Sequence, residues 1–291
     1  MLAANGRLKL ALQRSGRLTD DSVQLLRSCG LTFEHSRQTL SSPCNNFDLD
    51  LLSIRDDDIP EYVQDGVADL GIVGENILRE KEARAKTLLP LGFGSCRLMI
   101  SVLLRSRIRT VSDLAGMRIG TTYPATLRAF LRSSKVRATV VKLSGSVELA
   151  PTLNVADAIC DIVSTGSTAR VNGLRPLLTV LTSQAVLVVN AKSLRDKRTG
   201  PLIERLLIRL RSVLEARGKR YLMMNAPASS LPRLQRIIPS LRSPTVVPLA
   251  AAGMVAVHSV VAEDVFWDVM ERLKAAGASD IVVVPIETIV R

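Results

Sequence analysis

Aromatic side chains are scarce: one Trp, three Tyr and five Phe make up 3% of 291 residues. So few rings leave little material for the stacked platforms that hold single-stranded nucleic acids. Histidine is scarcer still, with only His35 and His258. Neither stands in a motif with an acid and a Ser or Cys, which argues against a Ser–His–Asp triad, and both are read as structural or solvated. The cysteines, Cys29, Cys44, Cys96 and Cys160, are widely scattered with no C-x-x-C pair. Free thiols are therefore expected, rather than disulfides or a metal site. No apolar run approaches the ~20 residues that cross a bilayer, and the first residues lack a basic start followed by a long apolar stretch. No membrane partner is expected, and the expected compartment is the cytoplasm. Internal repeats and low-complexity linkers are missing as well.

What remains is ordinary globular composition, 47% hydrophobic and 23% charged, in a chain long enough for two domains or three small ones. The formal net charge is +12, from nine Lys and thirty Arg against 27 acids. These cations are spread along the whole chain rather than gathered in a block. That favours solvated faces, or an electropositive cleft for a polyphosphate, over a nucleic-acid surface.

Patterning divides the chain. Leu8–Leu12, Asp50–Ile54 and Asp69–Gly74 read as strands, with helices from Thr19 to about Cys29 and from Pro60 to near Gly66 between them. Such alternation predicts α/β units with a mostly parallel sheet. A second unit begins near Arg97: strands at 98–104, 117–122 and 138–143, a helix from Pro124, and a further helix led by Gly145-Ser-Val-Glu148 toward Ile159. The strand Val186–Val189 and a long amphipathic helix from Pro201 to about Ala216 then return to the first unit. This is the pattern of a two-lobed binding architecture, whose ligands sit in the crevice beyond the carboxyl ends of the strands. Beyond residue 217 the grammar changes to β-α-β-β-α-β, the ferredoxin-like arrangement. Trp267, on the amphipathic helix 263–276, is read as core.

The most informative stretch is Asp157-Ala-Ile-Cys-Asp-Ile-Val-Ser-Thr-Gly-Ser-Thr168. A carboxylate at Asp161, inside an apolar strand, is costly without a partner or a task. The strand opens into Ser164, Thr165, Ser167 and Thr168 around Gly166, whose backbone admits close approach of a ligand. Hydroxyls and backbone N–H groups there suit a phosphate, and the acid upstream suits ribose hydroxyls. The same residues also suit a capped strand-to-helix turn.

Several stretches in order along nearly the full length carry a family likeness. They are Leu12-Gln-Arg-Ser-Gly-Arg-Leu18, Arg55-Asp-Asp-Asp-Ile-Pro60, Asp65-Gly-Val-Ala-Asp-Leu-Gly-Ile-Val-Gly-Glu-Asn76, Gly145-Ser-Val-Glu148, Asp157 to Gly166, and Leu273 to Ser279 with Val284-Pro-Ile-Glu287. In these the chain resembles ATP phosphoribosyltransferase in its long, self-regulated form. The resemblance implies an α/β fold: a two-lobed, periplasmic-binding-protein-like catalytic core with a C-terminal ferredoxin-like regulatory domain. The lobes fall at 1–95 plus 183–216 and at 96–182, and the regulatory domain at 217–291. It implies Mg²⁺-dependent transfer of phosphoribosyl from phosphoribosyl pyrophosphate to N1 of the adenine of ATP, the first step of histidine biosynthesis, in a homo-oligomer, dimer or hexamer.

Residue by residue, the resemblance puts Glu148 and Asp161 at the chemistry. Asp157, Asp161, Ser164, Thr165, Gly166, Ser167 and Thr168 take phosphoribosyl pyrophosphate. Lys9, Arg14, Arg17, Arg55, Asp69, Gly71, Gly74 and Glu75 meet ATP or pyrophosphate, with the glycines admitting the nucleotide closely. Asp56-Asp57-Asp58 reads as a helix cap before it reads as a metal site. Tyr123 stacks on a base or faces solvent, and Arg97 adds charge at the hinge. Many members of the family carry Lys where Arg14 stands, and a larger aliphatic where Ala169 stands. Asn225 and Thr245 are candidate contacts for histidine as feedback inhibitor. Leu249–Gly253 offers no acid for its ammonium, so inhibition is either present or lost. The competing reading is a non-catalytic, two-lobed small-anion-binding protein.

Overall fold

The computed structural model describes residues 6–36, 38–163, 172–238, 243–263 and 266–291. The chain divides into Met1–Leu206 and Leu207–Arg291.

The first lobe holds β1 (Leu8–Gln13), α1 (Thr19–Ser28), β2 (Ser41–Pro43), β3 (Leu49–Ile54), α2 (Ile59–Gln64), β4 (Leu70–Gly74), α3 (Glu75–Glu80) and β5 (Lys86–Pro90). β4 is buried throughout and β1 nearly so, which is why both read as continuous apolar runs: central strands are covered on both faces. Pro60 stands in the first turn of α2, where its missing N–H goes unneeded.

The second lobe holds β6 (Cys96–Leu103), β7 (Arg118–Thr121), α4 (Pro124–Ser133), β8 (Thr139–Lys142), β9 (Ala158–Val163) and β10 (Leu174–Ser183). Its strands lie in the order β10-β6-β9-β7-β8, over a core that includes Leu98, Ile100, Ile119, Leu127 and Ala158. The chain then returns as β11 (Ala185–Val189) to complete the first sheet, β2-β3-β1-β4-β11-β5. α5 (Ala191–Arg195) and α6 (Thr199–Ala216) follow.

Both sheets are mixed rather than mostly parallel. β1 runs parallel to β3 and β4, but β11 runs against β4. The reason is where the chain comes back: Ala185, the first residue of β11, lies opposite Gly74, the last residue of β4. A strand entering at that edge can only run the other way. In the second lobe β9 and β8 are parallel to β7, and β6 is antiparallel to β9 and β10. The helix expected from Val147 toward Ile159 is a single 3₁₀ turn, Val147–Leu149. Pro151 lacks the N–H a helix interior needs, and Asn154 at φ 54° leaves the helical region. β10 escapes a period-two reading because register shifts break it at Pro176/Leu178 and Thr179/Leu181.

The second unit has β12 (Lys219–Pro227), α7 (Leu231–Ile237), β13 (Thr245–Pro248), β14 (Met254–Ala262), α8 (Phe266–Ala275) and β15 (Ser279–Pro285). The all-antiparallel order β13-β14-β12-β15 is ferredoxin-like. Leu222, Met224, Val257, Leu234 and Leu273 form its core. Trp267 is not part of that core: it is 77% exposed, because it sits on the outer side of α8 while Val269 and Leu273 face the sheet. All four cysteines are buried and none forms a disulfide.

Candidate active site

In the first lobe the parallel strands β1, β3 and β4 end on one rim. Arg14, Gly16 and Arg17 follow β1 there, Arg55 follows β3, and Gly74–Glu75 close β4. The turn after β1 is built around Gln13, a residue the sequence did not single out. Its side chain is 9% exposed, its Oε1 accepts the Leu18 N–H at 3.0 Å, and its carbonyl accepts the Thr19 hydroxyl at 3.1 Å. Gly16 permits this fold-back: its φ is 138°, and a Cβ there would lie 2.4 Å from Gln13 Nε2. Arg17 extends from the turn to the second lobe, with Nη2 3.3 Å from Cys96 Sγ. Arg55 is the N-cap of the 3₁₀ turn Asp56–Asp58 and Asp58 that of α2, and neither makes a side-chain cap hydrogen bond.

In the second lobe β7, β8 and β9 end together. Asp161 lies near the end of β9, and the turn beyond β8 brings up Glu148. The two acids are within each other's field. Burial first, and the charge of Glu148 after it, hold the Asp161 carboxyl above the usual carboxylate range; the Ile162 N–H, 2.8 Å from Oδ1, opposes them. Arg97 pairs with Val163 across β6 and β9, which puts a cation beside the strand end that leads to Ser164. Ser164, Thr165, Gly166, Ser167 and Thr168 themselves, like Ala169, lie outside the described residues.

The rims meet where the chain crosses between lobes, β6 starting at Cys96 opposite the end of β10 at Ser183. Tyr123 closes this joint. It neither stacks openly nor faces solvent: its ring packs against the cores of both lobes, and its hydroxyl accepts from Asn76 Nδ2 at 3.2 Å. Burial pushes the phenol up to about 12, the Asn76 hydrogen bond opposes that, and the charges of Asp161 and Asp56 add to it. The sequence passed over Asn76, although a polar residue at the start of a helix after a buried strand is a fair signal.

Several expected site residues are not brought to the rim. Lys9 and Asp69 lie at the opposite ends of β1 and β4, roughly 16 Å from Arg14 and Gly74 by strand rise. Asp69 is spent on structure there: Oδ2 accepts the Lys9 N–H at 2.8 Å and Oδ1 the Ser193 hydroxyl at 2.6 Å. Asp157 likewise precedes β9, about 13 Å from Asp161 by strand rise. Its oxygens take the Arg118 guanidinium at 2.9 Å and the Arg118 N–H at 2.8 Å, and that pairing holds its carboxyl below the usual range. Gly71 does not open space for a nucleotide; a Cβ there would lie 2.7 Å from Ile59 Cγ2 and 2.9 Å from Val63 Cγ2. It lets α2 pack on β4. Gly74 does adjoin the joint, its missing Cβ leaving room for Asn76 Oδ1.

In the ferredoxin-like unit Asn225 and Thr245 share the sheet face opposite α7 and α8, in register with Ala256 and His258 respectively. The Tyr221 hydroxyl and His258 Nδ1, 3.0 Å apart, lie on the same face. Asn225 Nδ2 donates to Asp280 at 3.1 Å, so an acid absent from Leu249–Gly253 is supplied by β15. Among the described residues no three His, Cys, Asp or Glu side chains gather as metal ligands, and no helix is long and apolar enough to cross a membrane.

Comparison with known proteins agrees with this architecture. Residues 55–212 match the family model described as ATP phosphoribosyltransferase, and residues 216–288 match that described as HisG, C-terminal domain. A protein of Cytophaga hutchinsonii named ATP phosphoribosyltransferase is 43% identical over 284 residues, 98% of this chain and 99% of that one. Among solved structures, a chain of the ATP phosphoribosyl transferase (HisG:HisZ) complex from Thermotoga maritima is 29% identical. It covers 70% of this chain and 98% of its own, with a TM-score of 0.59. With a catalytic-core match across more than half its length and the C-terminal module behind it, this chain belongs to the ATP phosphoribosyltransferase family, in its long form.

Proposed function

We propose that the crevice between the lobes binds ATP and phosphoribosyl pyrophosphate and joins them. The product is phosphoribosyl-ATP, formed by attack of adenine N1 on the ribose carbon as pyrophosphate leaves, the first step of L-histidine biosynthesis. One observation supports this reading beyond family membership: Asp161, under the charge of Glu148, lies at the strand ends of one lobe, and Arg14, Arg17 and Arg55 follow the strand ends of the other, with Arg17 reaching Cys96 of the second lobe. Positive charge develops on the ribose carbon and negative charge on the departing pyrophosphate. Acids beside the sugar and guanidinium groups beside the pyrophosphate are what that transition state asks for. Arginine forks suit phosphate oxygens. Little covalent work is left to the protein, so alignment of two polyanions should dominate.

In this reading Asp161 accepts the ribose hydroxyls and Ser164 to Thr168 hold the 5′-phosphate. Arg14, Arg17, Arg55 and Glu75 attend ATP and pyrophosphate. The family's reaction uses a divalent ion; we take it to be Mg²⁺, carried on the pyrophosphate oxygens, as that ion prefers to be. The lobes are 1–95 plus 183–216 and 96–182, and 217–291 is the histidine-sensing module. There Asn225, Thr245 and Asp280 stand on one open face for an inhibitor with an ammonium group. The working state is a cytoplasmic homo-oligomer.

The test is the ultraviolet appearance of phosphoribosyl-ATP from ATP, phosphoribosyl pyrophosphate and Mg²⁺. Both ligands binding without turnover would favour a non-catalytic anion-binding protein. Thr165→Ala should weaken phosphoribosyl pyrophosphate more than ATP, each hydrogen bond to a charged group contributing roughly 1.5–3 kcal/mol. Equal weakening of both would leave that loop a merely structural part.

A further inference from the structure

α4 begins at the second lobe's rim, directly after β7 and Tyr123, and it does not cap itself. Its N-cap residue, Tyr123, makes no side-chain cap hydrogen bond, and Pro124 opens the helix without an N–H. The next two N–H groups end on a carboxylate from the other lobe. Ala125 N donates to Glu80 Oε1 at 2.9 Å, Thr126 N donates to Oε2 at 2.9 Å, and the Thr126 hydroxyl donates to the same Oε2 at 2.8 Å. Glu80 is the last residue of α3. A side chain 45 residues upstream therefore satisfies the orphan donors of α4 and sets a negative charge at its positive end.

The first turn of α3 holds the same joint. Asn76 is 3% exposed; its N–H donates to Ser183 Oγ at 3.0 Å, and its Oδ1 accepts from that hydroxyl at 2.9 Å. Its Nδ2 donates to the Tyr123 hydroxyl. α3 thus grips the second lobe at both of its ends, and the segment it grips, Thr121 to Thr126, leads off β7 beside Cys160 and Asp161 of β9. The grip of α3 consists of neutral hydrogen bonds and one carboxylate, beside the Arg17–Cys96 contact across the same joint.

We infer that Glu80 is a positioning residue for phosphoribosyl transfer. By capping α4 across the joint it fixes the Thr121–Tyr123 turn beside Asp161, and sets the separation at which the arginine rim faces the acidic rim. The inference rests on the proposed reaction. It follows that loss of Glu80 should disturb the alignment of the two substrates more than the grip of either lobe on its own.

The experiment uses the full-length protein with Glu80→Ala and Glu80→Gln. Gln keeps the length and one acceptor oxygen but loses the charge. For Glu80→Ala, kcat should fall by roughly ten- to a hundredfold, the range a misplacement of about an ångström produces. Glu80→Gln should fall between it and the unsubstituted protein. The Kd of phosphoribosyl pyrophosphate, measured alone by calorimetry, should not move, so the loss appears in kcat rather than in binding. Should Glu80→Ala prove too unstable to purify, the Gln variant and Thr126→Val, which deletes one of the three hydrogen bonds, give the same comparison. A lowered Tm with unchanged kcat, or a Kd that weakens in step with kcat, would overturn the inference. An inactive unsubstituted protein would overturn the proposed reaction and this inference with it, whereas an active one with an indifferent Glu80 overturns the inference alone.

Discussion

In the proposed reaction, Asp161 is the residue on which chemistry and stability pull in opposite directions. Its carboxyl is held above the ordinary 3.8, chiefly by burial and secondly by Glu148. A carboxyl raised in the folded state favours folding while protonated: its contribution is full below 3.8 and is lost as pH rises through the raised folded value. At neutral pH its charge is therefore a burden that function retains. Asp161→Asn should raise Tm at neutral pH while weakening phosphoribosyl pyrophosphate; a variant less stable than the parent would contradict this account of the burial. Glu148→Gln removes a like charge, so the acid limb of kcat/KM should shift to lower pH, read from a pH–rate profile. A limb that stays in place would mean the two acids do not sense each other in the working enzyme. Asp157, by contrast, is committed to Arg118. Asp157→Asn should lower Tm slightly and leave the KM for phosphoribosyl pyrophosphate where it was, and a raised KM would return Asp157 to the site.

At the scale of elements, helix α2, and α3 beyond its first residue Glu75, bear on the site without touching substrate in the proposed reading. α2 lies so close to β4 that Gly71 has no room for a methyl group against Ile59 and Val63. Gly71→Ala should destabilise the protein by about 1–3 kcal/mol, as overpacking of a tight core does, seen as a lower urea midpoint with the slope unchanged. A neutral effect would show that α2 can slide. The sequence alone suggested a ligand-facing glycine here, because a glycine in a strand signals close approach of a backbone or a ligand alike. Only the packed helix decides between them. The same limit applied to the turn after Glu148, where a favourable start hid the Pro151 and Asn154 that end it.

The whole molecule adds what no element contains. We expect histidine inhibition, where it occurs, to be non-competitive toward both substrates, since Asn225 and Thr245 lie in Leu207–Arg291 and the acidic and arginine rims in Met1–Leu206. Asn225→Ala should raise the histidine concentration needed for half inhibition, and competition with both substrates would remove the ferredoxin-like unit from regulation. Much of this organisation was legible in residue order. Strand-helix alternation, the change of grammar after residue 217, Asp161 inside an apolar run and the arginines after β1 are local signals of period and charge, and a chain carries these in itself. Lys9, Asp69 and Asp157 fall at the far strand ends, which residue order does not show, because a strand has two ends and the one-dimensional pattern does not mark which end carries the arginine and acid rims. Glu80 and Asn76 stayed invisible for a related reason. Their hydrogen bonds span 45 and 47 residues to α4 and Tyr123, and such partners are assigned only when the returning strand and the crossing joint fold two lobes against each other. The charge pattern, the apolar strands and the order of most elements, the sequence determined; which residues meet across a lobe boundary, only the tertiary structure decided, because satisfying a buried donor depends on position in space rather than on place along the chain.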